Sequence, residues 1–294
     1  MKILVATEKP FAKKAVDGIR QIVEGAGYEL ALLEKYTDKS ELLSAVADVD
    51  ALIIRSDKVT AEVIEAARNL KIVVRAGAGY DNVDLAAATA RGIVVMNTPG
   101  QNSNAVAELA LAMMIFMARN GFTPGTGSEI QGKTLGIVGF GRIGQHLGVM
   151  AKAIGMTVIA FDIFHIPGIE EQLGIPYVEM DELLAKSDFI SVHAPAVDGG
   201  ALINAERIAK MKDGVCIINT SRGTNVDEAA LLAALESGKV RAAGLDVYAD
   251  EPASNSALYS HPMVSCTPHI GAATVEAQKR IGAEIVDIIT NFGK

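Results

Sequence analysis

The sequence predicts an α/β protein with two domains, each built from a parallel sheet covered by helices. Short β-rich runs alternate with helical stretches along most of the 294 residues, and this alternation is typical of βαβ units. Half of the residues are apolar, which is enough to fill two cores of ordinary size. Residues 120–133 are rich in Gly, Pro and Ser, and they indicate a linker between two such series.

The first series of alternating elements covers residues 1–95. Arg55 follows its third predicted strand and Arg75 follows its fourth. Carboxyl ends of parallel strands meet at one rim of a sheet, and two arginines on one rim suit a doubly anionic ligand. The alternative is a pair of solvated surface arginines. The predicted strands are residues 3–6, 29–33, 51–54, 72–74 and 93–95, and the predicted helices are residues 11–24, 39–46, 60–69 and 83–91.

Residues 105–118 form the longest nearly uninterrupted apolar segment, broken only by Glu108. The segment is shorter than the roughly 18 residues that a membrane span needs, so we expect no membrane partner. A helix that is apolar on almost every side must be covered on every side. We therefore expect this helix to lie between domains or between subunits.

After the linker, residues 135–138 predict a buried strand that stops at the glycines of a G-x-G-x-x-G pattern. Gly139 suits the tight turn, Gly141 lets a backbone approach a pyrophosphate, and Gly144 lets a helix pack closely on the strand. The phosphates would then lie at a helix N-terminus, which favours negative charge. The pattern predicts a dinucleotide site in a Rossmann domain, and the alternative is a purely structural turn.

Asp162 ends the next predicted strand, about 20 residues after the glycines, as the dinucleotide fingerprint requires. Its carboxylate would accept hydrogen bonds from ribose hydroxyls. Residues 161–166 contain no Arg or Lys that could bind a 2′-phosphate, which favours NAD over NADP. The predicted strands of this domain are residues 135–138, 156–161, 189–193, 215–219, 242–247 and 264–266, and an amphipathic helix over residues 274–292 could cross back onto the first domain.

Three motifs at the ends of later strands carry residues suited to hydride-transfer chemistry: NTSRG, DVYADEP and TPHIGAAT. In them, His269 can act as general acid or base, Glu251 can hold its ring, and Arg222 can hold a substrate carboxylate. Each has a plain alternative, because Glu251 could belong to a turn, His269 to a loop and Arg222 to a helix approach. Together with the glycine pattern, the three favour the catalytic interpretation.

The net charge and the cysteine content indicate which binding partners and which cellular compartment to expect. A net charge of −8 argues against a nucleic-acid partner, since proteins that bind a polyanion are usually basic. Cys216 and Cys266 lack metal-ligand spacing and indicate buried reduced thiols, which suits the cytoplasm. The N-terminal segment does not resemble a secretory signal.

The segments LGIVGFGRIG, NTSRG with the following VDEAALLAALESGKVRAAGLDVYADEP, and TPHIGAAT resemble signature segments of the D-isomer-specific 2-hydroxyacid dehydrogenase family. Within that family, IRSDKVT, RAGAGYDNVD and MNTPGQNSNAVAE are similar to segments of the members that oxidise 3-phospho-D-glycerate. The resemblance extends over nearly the whole chain.

The resemblance implies a flavodoxin-like substrate-binding domain of residues 1–100 plus 273–294 and a doubly wound Rossmann NAD-binding domain of residues 101–272. It implies oxidation of 3-phospho-D-glycerate to 3-phosphohydroxypyruvate with NAD, the first step of serine synthesis, by a cytoplasmic homodimer. A glyoxylate or hydroxypyruvate reductase of the same family is the alternative. A lesser alternative is an NAD-sensing binding protein without turnover.

The family's functional positions map onto loops that follow predicted strands. The resemblance implies no metal and a catalytic set of Arg222, Glu251 and His269. The implied cofactor-binding residues are Gly139, Gly141, Arg142, Ile143, Gly144, Asp162, His193, Ala194, Pro195, Thr220, Ser221, Asp246 and Gly271, and the implied substrate-binding residues are Arg55, Arg75, Ala76, Gly77, Ala78, Gly79 and Asn102.

The sequence departs from the family pattern at three places. Many relatives have a longer, Trp-containing stretch where this chain has residues 120–133, which leaves the details of a dimer interface open. Ala78 stands where some relatives have a hydroxyl residue. The chain ends at Lys294, so we expect no feedback inhibition by serine through a C-terminal regulatory domain.

Overall fold

The chain divides into two compact units. The computed structural model describes residues 1–8, 13–251, 253 and 257–292, with the side chains of residues 13–15 and 22 outside the description. The first unit comprises Met1–Asn102 and Ala272–Lys294, and the second comprises Ser103–Gly271. Each unit has its own parallel sheet and its own buried apolar clusters, which confirms the predicted α/β class.

The first unit has a five-stranded parallel sheet with the flavodoxin-like strand order. Ile54 pairs with Arg75, so the carboxyl ends of the third and fourth strands lie side by side as the sequence predicts. The strands are β1 (Lys2–Thr7), β2 (Glu29–Glu34), β3 (Ala51–Ile54), β4 (Ile72–Arg75) and β5 (Val94–Asn97). Their order across the sheet is β2-β1-β3-β4-β5.

Side-chain caps begin two of the helices in this unit. Asp38 forms a capping box with Glu41, and Asp84 accepts a hydrogen bond from the backbone N–H of Ala87, so both satisfy N–H groups that a helix start leaves unpaired. The sequence predicts the first helix from residue 11, and residues 11 and 12 lie outside the described part. The helices are α1 (Lys13–Gly25), α2 (Lys39–Ala45), α3 (Ala61–Ala66) and α4 (Leu85–Ala90).

The second unit begins with α5 (Ser103–Ala118) and contains a six-stranded parallel sheet. The strands are β6 (Thr134–Val138), β7 (Thr157–Phe161), β8 (Phe189–Val192), β9 (Val215–Asn219), β10 (Val240–Leu245) and β11 (Val264–Cys266), in the order β11-β10-β9-β8-β6-β7. The helices between them are α6 (Arg142–Ala153), α7 (Ile169–Leu173), α8 (Met180–Lys186), α9 (Ala205–Ala209) and α10 (Glu228–Glu236).

Strand order in the second sheet locates its ligand-binding edge. β6 lies between β7 and β8, so the chain leaves β6 on one side and later returns to the other. Ligands of such sheets bind beyond the carboxyl ends of the strands at this switch point. β9, β10 and β11 are neighbours, so the three motifs that follow them share the same edge.

Only one face of α5 is covered within the second unit. Met113, Met114 and Met117 are buried in a cluster with residues of the sheet and of α6. On the outer face, the side chain of Ile115 remains 38% exposed. The complete coverage that the sequence predicts is therefore not supplied by the described residues of this unit.

The last helix, α11 (Val275–Phe292), belongs to the first unit. It packs along α1, and Ile281, Ile285 and Ile289 are buried in one cluster with Ile19. The isoleucines recur at the spacing of a helical face, which is why an amphipathic sequence predicts this helix.

Both cysteines are free thiols. Cys216 in β9 is buried, as expected, but Cys266 is exposed, and its predicted burial is wrong. Cys266 ends β11, a three-residue strand at the edge of the sheet, where no neighbouring strand covers the side chain within the described part of the unit. Among the described residues, no helix combines the length and the apolar character needed to cross a bilayer.

Candidate active site

The glycine turn after β6 has the geometry that a dinucleotide requires. A Cβ on Gly139, whose φ is +95°, would lie 2.6 Å from the backbone nitrogen of Ala194, and one on Gly144 would lie 2.5 Å from the carbonyl oxygen of Gly139. Gly141 is the N-cap of α6, and a Cβ there would meet open space. The turn and its close packing therefore require two glycines, while the third leaves the helix N-terminus accessible to a pyrophosphate.

Asp162 follows β7 and ties that strand to the glycine turn. Its Oδ2 accepts a hydrogen bond of 2.7 Å from the backbone N–H of Phe140, and its Oδ1 accepts one of 3.0 Å from that of Phe164. Each carboxylate oxygen has two lone pairs, so both can still accept from a ribose hydroxyl. The residues present thus fit NAD, with the N-terminus of α6 for its phosphates and Asp162 for its ribose.

The loop after β8 contains His193, whose ring lies between two hydroxyl groups. Its Nε2 is 2.8 Å from Ser191 Oγ, and its Nδ1 is 3.4 Å from Thr220 Oγ1. Burial lowers the pKa of His193 to about 3, because a charged imidazole would lose its hydration there. His193 is therefore neutral at physiological pH.

Arg222 lies in the loop after β9, which packs against the loop that follows β10. Its Nη1 donates to its neighbour's carbonyl, Ser221 O, at 2.8 Å, and its own carbonyl accepts from Asn219 Nδ2 at 2.8 Å. A Cβ on Gly223 would lie 1.8 Å from the carbonyl carbon of Tyr248. Only glycine allows this approach, which fixes the Arg222 backbone beside residues 246–251.

Glu251 and His269 form a hydrogen bond across two neighbouring loops. The distance from His269 Nδ1 to Glu251 Oε2 is 2.7 Å, and about a third of each side chain is exposed. Glu251 thus engages Nδ1, which leaves Nε2 as the ring nitrogen that can exchange a proton. His269 also has a φ of +54°, a left-handed backbone that is uncommon for a residue other than glycine.

Asp246 holds the strained His269 loop in place. This carboxylate is only 1% exposed. Its Oδ1 accepts from Thr267 Oγ1 at 2.5 Å and from the backbone N–H of Ile270 at 2.8 Å, and its Oδ2 accepts from that of Gly271 at 2.8 Å. The hydrogen-bond partners of Asp246 are thus residues of the protein itself. The family resemblance implies a cofactor contact for Asp246 and Gly271, and this contact stays a prediction.

In the first unit, Arg55 follows β3 and Arg75 is the last residue of the adjacent β4, and the two arginines differ in their partners. Arg75 donates from Nε to the carbonyl of Arg55 at 3.0 Å and from Nη1 to that of Ala78. The guanidinium of Arg55 is half-buried, and we find no acceptor for it among the described residues. Burial lowers the pKa of Arg55, because the cation is partly removed from water.

Residues 76–79 form a tight loop next to these arginines. Gly77 has a φ of +143° and donates its N–H to Thr98 Oγ1 at 2.8 Å, while Gly79 has a φ of +76°. The Oδ1 atom of Asn102 is buried and has no hydrogen-bond partner among the described residues. A buried acceptor without a partner is costly, so Asn102 is a polar group that a ligand could satisfy.

Sequence reasoning missed Asp57, which organises the Arg55 loop. This carboxylate is 3% exposed and accepts from Tyr36 OH at 2.8 Å, from the N–H of Glu8 at 2.8 Å and from the N–H of Arg55 at 3.2 Å. Its position two residues after Arg55 was the available signal. The described residues contain no cluster of three or more His, Cys, Asp or Glu suited to a metal ion.

Comparisons with protein families and with known proteins match this chain to dehydrogenases and reductases that act on 2-hydroxy acids or 2-oxo acids. The family described as D-isomer specific 2-hydroxyacid dehydrogenase, NAD binding domain, matches residues 116–271. A hydroxypyruvate reductase of Thermotoga maritima is 46% identical, over 89% of this chain and 90% of that protein. A D-3-phosphoglycerate dehydrogenase of Archaeoglobus fulgidus is 43% identical, over 100% of this chain and 58% of that protein. The chain thus spans little more than half of that dehydrogenase.

Solved structures match over nearly the full chain. An NAD⁺-bound 3-phosphoglycerate dehydrogenase of Entamoeba histolytica has a TM-score of 0.89 and 40% identity, and the match covers 99% of this chain and 96% of that one. A glyoxylate reductase from Paecilomyes thermophila has a TM-score of 0.84 and 32% identity, covering 99% and 94%.

Proposed function

The chain belongs to the D-isomer-specific 2-hydroxyacid dehydrogenases and uses NAD, and within that family we propose that it oxidises 3-phospho-D-glycerate to 3-phosphohydroxypyruvate. The reaction would begin serine synthesis. The observation that carries the choice of substrate is the half-buried Arg55 guanidinium without a described acceptor. A partly desolvated cation is suited to an anionic group such as a phosphate.

In the proposed reaction, His269, Glu251 and Arg222 of the second unit each have one task. The chemistry that NAD supplies when bound is acceptance of a hydride from C2 of the substrate. As that C–H bond breaks, His269 Nε2 takes the hydroxyl proton, and Glu251 stabilises the resulting imidazolium through Nδ1. Arg222 holds the substrate carboxylate and polarises the oxygen that becomes the ketone. Reduction of the 2-oxo acid runs through the same groups in reverse.

The first unit supplies recognition of the acid. Arg55 binds the phosphate, Arg75 shapes residues 76–79 through the carbonyls that it holds, and Asn102 offers a buried acceptor to the substrate. Two free thiols are consistent with a cytoplasmic enzyme, because that compartment keeps cysteines reduced.

A hydroxypyruvate reductase is the second candidate. The relative of that name in Thermotoga maritima is 46% identical, and the match covers 90% of that protein. On this alternative, Arg55 would meet no phosphate.

Steady-state kinetics with several acids test the proposal. We expect kcat/KM for 3-phospho-D-glycerate to exceed the values for D-glycerate, D-lactate and glycolate by about a hundredfold, as expected when a charged group loses its partner. Equal use of the unphosphorylated acids would overturn it. Fastest turnover with hydroxypyruvate or glyoxylate in the reverse direction would favour the reductase, and NAD binding without turnover would favour a sensing protein.

We also propose that the enzyme is a homodimer joined through the outer face of α5. A groove of about 1050 Å³ runs along this face, and its lining contains no charged residue in the described part. Ile115 and Phe122 line it, and Phe122 is 68% exposed. A second copy could cover these side chains with the same apolar surface.

Sedimentation velocity tests the dimer with two matched variants. Ile115→Glu places a charge in the groove, so we expect it to sediment as a monomer. Leu85→Glu changes a side chain of similar exposure, 43%, in the first unit and should remain a dimer. A monomeric wild-type protein, or a dimeric Ile115→Glu variant, would contradict this interface.

A further inference from the structure

Two loops at the carboxyl edge of the second sheet are joined by a buried side chain that the proposed mechanism does not use. Asn225 is 0% exposed. Its Nδ2 donates to the carbonyl of Ala194, in the loop after β8, at 2.9 Å, and to Ser221 Oγ, in the loop after β9, at 3.1 Å. One amide group thus holds both loops.

The same network reaches the backbone of Arg222. Asn219 Oδ1 accepts from Ser221 Oγ at 2.8 Å and from Ser221 N–H at 3.1 Å, while Asn219 Nδ2 donates to the carbonyl of Arg222 at 2.8 Å. The Ser221 hydroxyl therefore donates to Asn219 and accepts from Asn225, so the direction of each hydrogen bond is set.

At its other end the network reaches the glycine turn. A Cβ on Gly139 would lie 2.6 Å from Ala194 N and 2.7 Å from the carbonyl carbon of His193, so residues 193–194 pack directly against that turn. A second link between the two loops runs from His193 Nδ1 to Thr220 Oγ1 at 3.4 Å. A continuous path thus leads from the glycine turn to Arg222.

We propose that Asn225 is a positioning residue that sets the separation between the cofactor-binding turn and Arg222. The inference rests on the proposed role of Arg222 in holding the substrate carboxylate. Hydride transfer depends on the distance between two bound molecules, one on the glycine turn and one on Arg222. An error of about 1 Å in such a distance can cost about a hundredfold in rate.

Stability alone does not account for an amide at this position. Asn225 Oδ1 is buried and has no hydrogen-bond partner among the described residues, which costs free energy that an apolar side chain would avoid. A leucine has the same branched shape and would remove this unpaired acceptor, but it would also remove the two hydrogen bonds that Nδ2 donates to the neighbouring loops. We therefore expect the Asn225 amide to fix the relative positions of the loops after β8 and β9.

Kinetics of Asn225→Leu test this role. We expect kcat/KM for the hydroxy acid to fall about tenfold or more, while the dissociation constant of NADH changes by less than about threefold and the pH profile keeps its shape. Ser221→Ala should give a smaller fall, and adding it to Asn225→Leu should cost little more, because both changes break one path. Ser187→Ala is the control, since its buried hydroxyl bonds Leu183 O at the opposite edge of the sheet.

The kinetic test of Asn225 does not depend on whether the proposed substrate is correct. The ratio of variant to wild type is measured with whichever 2-hydroxy acid the wild-type enzyme uses fastest, so a wrong substrate assignment leaves the ratio interpretable. A folded Asn225→Leu variant within about twofold of wild type would overturn the inference. If Asn225→Leu does not fold, Ser221→Ala carries the test, and wild-type kinetics in that variant together with an unchanged melting temperature would also overturn it.

Discussion

The carboxyl edges of the two sheets are organised in opposite ways. In the second unit, the candidate catalytic side chains already have partners: His269 pairs with Glu251, and Asp246 holds the loop that contains His269. In the first unit, Arg75 is bonded to backbone carbonyls, and the neighbouring Arg55 guanidinium has no described acceptor. On the proposed mechanism, the groups that exchange the proton are in place before substrate binds, whereas substrate recognition depends on Arg55, whose guanidinium would pair with an anionic group of the substrate.

Loss of the imidazole should give the largest effect. We expect His269→Asn to lower kcat by about 10²- to 10⁴-fold, because no other described group of that loop can exchange the proton. The melting temperature should change little, since Asn tolerates the left-handed backbone at this position. Stopped-flow detection of NADH measures the rate. His146→Asn, an exposed histidine of α6, is the control, and an equal loss in both variants would refute a preassembled catalytic pair.

Stability should separate the two arginines. Arg75→Met removes the donors to the carbonyls of Arg55 and Ala78, so we expect the free energy of unfolding to fall by about 3 kcal/mol. Arg55→Met removes a half-buried charge without a described acceptor and should leave that free energy nearly unchanged. Urea denaturation gives both values. If Arg55→Met were the more destabilising change, the proposed division of roles would be wrong.

His193 should make the second unit sensitive to acid. Its folded-state pKa of about 3 lies below the ordinary value, so only the unfolded chain takes up a proton as the pH falls below about 6.5. Stability from this group is therefore present above that pH and is lost on acidification. Between about pH 7 and pH 5, wild type should lose about 2 kcal/mol more than His193→Gln. Parallel denaturation curves in both proteins would show that His193 is accessible to protons.

Much of the candidate catalytic edge can be predicted from the sequence, because strand alternation places Arg222, Glu251 and His269 after strands of one parallel sheet. The structure adds that these strands, β9, β10 and β11, are neighbours, and that Glu251 contacts His269. The fold class follows from similar local signals, namely apolar runs and glycine turns, whereas the order of the strands comes from the structure.

The supporting contacts could not be predicted, because they join residues distant in sequence through tertiary packing. Asp57 accepts a hydrogen bond from the hydroxyl of Tyr36, and the Asn225 amide donates one to the carbonyl of Ala194. No local sequence pattern indicates either contact. Arg75 illustrates the same limit, since sequence position alone makes it equivalent to Arg55. Exposure of Cys266 depends on the edge position of β11, which the apolar run does not indicate.

The energetic coupling between Arg55 and the substrate phosphate tests the proposed function most directly. Wild type and Arg55→Ala are each assayed with 3-phosphohydroxypyruvate and with hydroxypyruvate in the reducing direction. We expect the variant to lose about 10- to 100-fold in kcat/KM for the phosphorylated acid, mostly through KM, and less than about threefold for hydroxypyruvate. Equal losses for the two acids would contradict the assignment of Arg55 to the phosphate and of this chain to phosphoglycerate oxidation.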